Sequence, residues 1–145
     1  EHICVEYLGN GTAKVWSEQL GVPEGGAQIY DVDPNVGIFA YGGEGNDLIV
    51  VKGVIKLTAE GGSGDDTLIL DGGMSADLKG GVGNDTLVGG AGADRIQGEA
   101  GDDIIDGREG EDWLFGDFAQ ISNGAAGSLR VAVSDEDGNE GYDQR

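Results

Sequence analysis

Six aspartates recur at fixed places: Asp47, Asp66, Asp85, Asp94, Asp103 and Asp112. Each follows one glycine by two residues and another by five, so each closes a G-x-x-G-x-D stretch. Between residues 80 and 115 the stretches run without a gap as GGVGNDTLV, GGAGADRIQ, GEAGDDIID and GREGEDWLF, four units of nine residues. The eighth place is aliphatic every time: Leu87, Ile96, Ile105, Leu114. Carboxylates repeated at one period, beside backbone freed by glycine, offer oxygen ligands and little else.

The elements that must position these oxygens follow from the same units. Glycines at the start of a unit let the chain turn tightly. The last three places make a short strand with the eighth side chain inward, because side chains alternate across a strand. Turn, strand, turn, strand over 18 residues brings the chain back above its start, one coil of a solenoid. Asp85 then lies beneath Asp103, and Asp94 beneath Asp112. Carboxylates stacked about 4.8 Å apart repel unless a cation lies between them. Carbonyls in the glycine turns lack ladder partners and need ligands. An all-oxygen cage suits calcium, which takes six to eight such ligands; zinc would want several His or Cys, and the chain has one of each. The carbonyl candidates are the first and third places of each turn: Gly42, Glu44, Gly61, Ser63, Gly80, Val82, Gly89, Ala91, Gly98, Ala100, Gly107 and Glu109. A disordered Gly/Asp-rich linker has no reason to hold glycine, aspartate and aliphatic in register.

Residues 42–79 carry a longer form of the repeat, as coils 42–60 and 61–79 of 19 residues each. Ile49/Leu68, Val51/Leu70, Ile55/Met74, Leu57/Ala76 and Ala59/Leu78 correspond. Each long coil has one acidic turn, at Asp47 or Asp66, and one plain turn, at 52–54 or 71–73. Asp77 reads as a degenerate turn and not as a ligand. Four coils result: 42–60, 61–79, 80–97 and 98–115. One edge would hold ions between Asp47 and Asp66, Asp66 and Asp85, and Asp85 and Asp103. The other would hold one between Asp94 and Asp112. About four Ca2+ ions are expected, with room for more at the ends.

The flanks differ in texture. In residues 1–41, HICVEYL, AKVWSEQL, AQIYDV and GIFAY read as strands separated by turns, an N-terminal β capping segment; WSEQL is equally compatible with one helical turn. Asp31–Asn35 reads as a turn before a strand. Trp113 and Phe115 take the outward places of the last unit. Residues 116–145 read as a C-terminal flanking segment, with FAQIS and SLRVAVS as strands. Its last eight residues place Gly141 and Asp143 at the fourth and sixth places of a further, truncated repeat.

Composition bounds the rest. With 28 acidic and 8 basic residues the formal net charge is −20, which argues against nucleic acid as a partner. Thirty glycines and that charge place a cation-free chain near the disordered class. No apolar run of the roughly 20 residues that a membrane span needs occurs. Cys4 has no second cysteine to pair with. His2 is the only histidine, and neither H-E-x-x-H nor G-x-S-x-G is present, so the chain is not expected to be an enzyme.

Residues 42–115 resemble the calcium-binding repeat region of the RTX (haemolysin-type) family of large bacterial secreted proteins. The resemblance implies an all-β, right-handed parallel β-roll, type I secretion, and folding on calcium outside the cell or at its surface. It implies a structural or folding element within a larger parent chain, adhesin or exoprotein, whose external partner the sequence does not name. The alternative is the accessory region of an RTX enzyme or toxin, such as a protease, lipase, epimerase or haemolysin. An ice-binding adhesin region is a lesser alternative. It would want Thr beside the turns, and the third places are Glu44, Ser63, Val82, Ala91, Ala100 and Glu109.

Overall fold

Alternation of apolar and polar side chains in short glycine-bounded runs dictates strands, and strands are what form. The computed structural model describes residues 2–17, 27–116, 120–122, 128–134 and 140–144. Among the described residues it is 61% strand with no helix. The roll opens with β4 (Ile38–Glu44), and its coils continue through β5 (Leu48–Lys52), β6 (Leu57–Ser63), β7 (Thr67–Asp71), β8 (Ala76–Val82), β9 (Thr86–Val88), β10 (Arg95–Ala100), β11 (Ile104–Asp106) and β12 (Glu111–Gly116). From β4 to β12 the even-numbered strands stack in one parallel sheet and the odd-numbered strands in the other. The two sheets make a parallel β-solenoid of about four turns.

The register is the one that the repeat lengths require. Leu48–Lys52 pairs with Thr67–Asp71, and Leu57 and Ala59 pair with Ala76 and Leu78. Inward side chains then form a thin two-row core: Ile49, Val51, Leu57, Ala59, Leu68, Leu70, Ala76, Leu78, Leu87, Ile96, Ile105 and Leu114 are all buried. Burying a Leu or Ile contributes about 1.5–3 kcal/mol, so each coil is held by its neighbours and not by itself. Ile55 and Met74 correspond in sequence but not in environment. Ile55 is buried, whereas Met74 is exposed; beside it a Cβ on Gly73 would lie 2.6 Å from Leu70 Cδ1. Asp77 lies in strand β8, not in a turn, between Thr58 and Arg95.

At the N-terminal end β1 (His2–Tyr7) pairs in parallel with β5. Then β2 (Thr12–Trp16) and β3 (Gln28–Asp31) add on antiparallel. Val5 and Ala13 are buried, and Ile3, Tyr7, Val15 and Val32 pack on the core end. Trp16 closes β2; most of WSEQL (residues 18–20) lies outside the described residues. Asp33 makes a turn: its carboxylate accepts the Asn35 N–H at 2.9 Å, and its carbonyl accepts those of Val36 and Gly37. At the other end β13 (Gln120–Ser122) pairs with β11, and β14 (Ser128–Ser134) with β12. The last strand, β15 (Glu140–Gln144), runs antiparallel to β14. The expected opening of a further repeat is thus a strand: Gly141 and Asp143 face Val133 and Val131 in a ladder that satisfies their backbone.

Candidate metal centre

The turns that lead from the even to the odd sheet carry Asp47, Asp66, Asp85 and Asp103 on one edge. The opposite edge carries Asp94, in the turn that leads back, and Asp112, at the start of β12. All six are buried, none more than 3% exposed. Each coil's aspartate amide donates to the next coil's carboxylate: Asp47 N–H to Asp66 Oδ1 at 2.8 Å, Asp66 to Asp85 at 2.8 Å, and Asp85 to Asp103 at 2.9 Å. On the opposite edge Ala76 donates to Asp94 at 2.6 Å, and Asp94 to Asp112 at 3.0 Å. Ala76 occupies the aspartate place of a plain turn, so the amide ladder continues there while the carboxylate is missing.

The second carboxylate oxygens have a different fate. Oδ2 of Asp66, Asp85 and Asp112 is buried with no hydrogen-bond donor. It faces the first glycine of its own turn. A Cβ on Gly42 would lie 2.6 Å from Asp47 Oδ2 and 2.5 Å from the Gly61 carbonyl oxygen. The same pairing of own-turn carboxylate and next-coil carbonyl recurs at Gly61, Gly80 and Gly89. First-place glycines are thus required by crowding oxygens. Second- and fourth-place glycines such as Gly43 and Gly45 are required by positive φ, 105° and 97°. At Asp66 and Asp85 such oxygens meet without a proton donor in a buried turn, which fits a cation and disfavours an empty cage.

The electrostatics agree. Burial pushes the Asp85 carboxyl up to about 6, against the Asp66 amide hydrogen bond and with help from the charges of Asp103 and Asp66. Burial also pushes Asp94 up to about 6, opposed by the Ala76 amide and reinforced by Asp112. Asp66 and Asp112 are raised for the same first reason. A bound divalent cation would invert this, since opposite charge favours the ionised form. No group of three or more His, Cys, Asp or Glu side chains able to hold a metal stands among the described residues. A ligand shell must therefore draw mostly on carbonyls. Of the third-place carbonyls, those of Ser63, Val82 and Ala100 also accept N–H bonds from Gly45, Gly64 and Gly83 at 2.7, 2.8 and 2.8 Å. A carbonyl has two lone pairs, so this leaves one for a cation.

The turn at Asp94 departs from the rest. Gly90 and Gly92 are not among the residues with positive φ, and Gly90 N–H donates to Asp94 Oδ2 at 2.8 Å. Arg108 reaches across this turn from the next coil to the Leu70 carbonyl (3.3 Å) and the Asp71 carboxylate (3.6 Å). A second ladder went unread in the sequence. Fifth-place side chains cap the amides of neighbouring coils: Asp65 N–H to Asn46, Asn84 to Asp65, and Asp102 to Asn84, at 2.9–3.0 Å. The signal was there, since these places hold Asn or Asp on one edge and Ala93 or Glu111 on the other.

A family profile for the RTX calcium-binding nonapeptide repeat (4 copies) matches residues 39–51, 58–73 and 79–117. No curated protein and no solved structure matches the chain. Profile, coil register and buried carboxylate ladders coincide, and residues 39–117 are an RTX calcium-binding repeat region.

Proposed function

We propose that this chain is a non-enzymatic module that folds on calcium outside the cell and serves as a structural element of a larger secreted protein. The observation that carries the reading is the set of buried Oδ2 atoms at Asp66, Asp85 and Asp112 that no donor satisfies. Ions belong at four junctions: Asp47/Asp66, Asp66/Asp85, Asp85/Asp103 and Asp94/Asp112. Four sites, each at about ten times Kd, would contribute about 1.4 kcal/mol apiece, or roughly 6 kcal/mol, comparable to the stability of a whole domain. A chain of net charge −20 gains that stability only where calcium is abundant, which favours folding after export.

Circular dichroism in chelator, then in millimolar calcium and in millimolar magnesium, tests the proposal. Most of the β signal is expected to be lost in chelator and to return in calcium but not in magnesium, because magnesium demands near-ideal octahedral geometry and keeps its waters. An unchanged β signal in chelator, or equal refolding in magnesium, would overturn it.

A further inference from the structure

Calcium accounts for the turns and the aliphatic core, but not for the outer face of the even-numbered sheet. There the register sets two rows of side chains across the strands: Phe39, Thr58, Asp77, Arg95, Trp113, and beside it Tyr41, Glu60, Lys79, Gln97, Phe115. Phe39 and Tyr41 are 69% and 64% exposed and Trp113 is 46% exposed, although the roll needs none of them for its core. Among the described residues of the opposite sheet, the exposed large apolar ones are Ile104 and, on its outermost strand β3, Ile29 and Tyr30. Exposed aromatics gathered on one face of a soluble domain mark a contact surface.

Two clefts of about 410 and 420 Å³ lie on this face and share Thr58 and Asp77. The first is walled by Phe39, Tyr41, Glu60 and Lys79, and the second runs to Arg95 and Trp113. Joined, they make a groove that crosses the strands from β4 to β12, four strand spacings or about 19 Å. Charges along it nearly balance, with Lys56, Lys79 and Arg95 against Glu60, Asp77, Asp94 and Glu111. Asp77 is 3.7 Å from Arg95, and Glu60 stands opposite Lys79 in the ladder. On a chain of net charge −20 such a floor selects neither a cation nor an anion. It suits a neutral ligand with flat apolar faces for the rings and a rim of hydroxyls for paired carboxylate and ammonium groups.

We infer that the outer face of the even-numbered sheet is a binding groove for a neutral polysaccharide, with sugar rings stacked on Phe39 and Tyr41 at one end and on Trp113 at the other. The site goes beyond the calcium reading but rests on it, because Asp94 borders the second cleft and the groove is a property of the calcium-loaded roll.

The test uses the calcium-loaded full chain and soluble neutral oligosaccharides (cello-, malto-, manno- and chito-series), with a polyuronate series as comparison, followed by calorimetry and tryptophan fluorescence. Binding to one neutral series is expected, insensitive to salt between about 0.05 and 0.5 M because no ion pairs form with the ligand. The double substitution Phe39→Ala/Tyr41→Ala should weaken it at least tenfold while the calcium-dependent circular dichroism stays unchanged. Trp113→Ala should weaken long oligomers and spare the shortest that bind. Ile104→Ala, on the opposite face, should change nothing. Failure of every neutral series, binding confined to polyuronates with steep salt dependence, or full binding by the double variant would each overturn the assignment.

Discussion

The two long coils and the two short coils solve the same problem in different proportions. Coil 42–60 buries Ile49, Val51, Leu57 and Ala59 in the two rows, and coil 61–79 buries Leu68, Leu70, Ala76 and Leu78. The short coils bury only Leu87 with Ile96, and Ile105 with Leu114. Carboxylates run the other way: one acidic turn per long coil, at Asp47 or Asp66, and two per short coil, at Asp85 with Asp94 and at Asp103 with Asp112. Where the aliphatic ladder thins, buried carboxylates double. A plain turn needs no ion but depends on packing such as Gly73 against Leu70; an acidic turn does without that packing and depends on a cation.

The largest test of this contrast is calcium removal followed by residue-resolved hydrogen exchange. The short coils, residues 80–115, should lose protection by more than about a hundredfold, since their sites supply the free energy that their core does not. The long coils should retain measurable protection at the amides of β5 and β7. Uniform loss along the roll would break the comparison.

Next in size are substitutions in the core and the turns. Leu70→Ala should cost about 2–5 kcal/mol in calcium, as a fully buried leucine does. Asp85→Ala should disrupt two junctions, because its carboxylate accepts the Asp66 amide and stands between the junctions with Asp66 and Asp103, while its backbone amide still donates to Asp103. It also leaves the Asp66 N–H without its acceptor, at about 1–3 kcal/mol. Asp47→Ala touches one junction. Native mass spectrometry and melting in saturating calcium should therefore show fewer bound ions and a lower Tm for Asp85→Ala than for Asp47→Ala. Equal effects would mean that the aspartates do not couple successive coils.

A smaller effect is expected from pH, with opposite signs in the two metal states. Folded-state carboxyls raised above the ordinary value near 3.8, to about 6 at Asp85 and Asp94, hold protons more tightly folded than unfolded. The metal-free fold is then favoured below about pH 4 and loses that support as pH rises through about 6. Calcium affinity should rise over the same interval, since protons compete for the same oxygens. Chemical denaturation in chelator across pH 4–7 reads the first slope, and calcium titration reads the second. A metal-free stability that rises with pH would contradict the burial of these groups.

The smallest expected effect is Asn84→Ala. The outer ladder at Asn84 is exposed, and its bond from Asp102 N–H is worth about 1 kcal/mol or less. The melting temperature in calcium should fall by a few degrees with the ion count unchanged. A lost ion would move the fifth place into the ligand shell.

Much of this molecule is legible in one dimension because a solenoid contacts only its neighbours. A fixed step along the chain is then a fixed step in space, so 19- and 18-residue spacings place Asp47, Asp66, Asp85 and Asp103 on one edge without any fold calculation. The inward places of β5 to β12 follow from strand alternation for the same reason. What periodicity cannot set is what happens where the period breaks. Met74 matches Ile55 by position yet is exposed where Ile55 is buried. Gly141 and Asp143 match a repeat yet lie in β15, because β14 offers a strand edge that a lone turn cannot compete with. The Gly90 bond to Asp94 and the reach of Arg108 to Leu70 depend on how one plain turn stacks under an acidic one, a relation between coils that no single unit encodes. Repetition determined the coils, the core rows and the acidic edges; only packing in three dimensions decided which carboxylate oxygens find a proton donor and which are left for a cation.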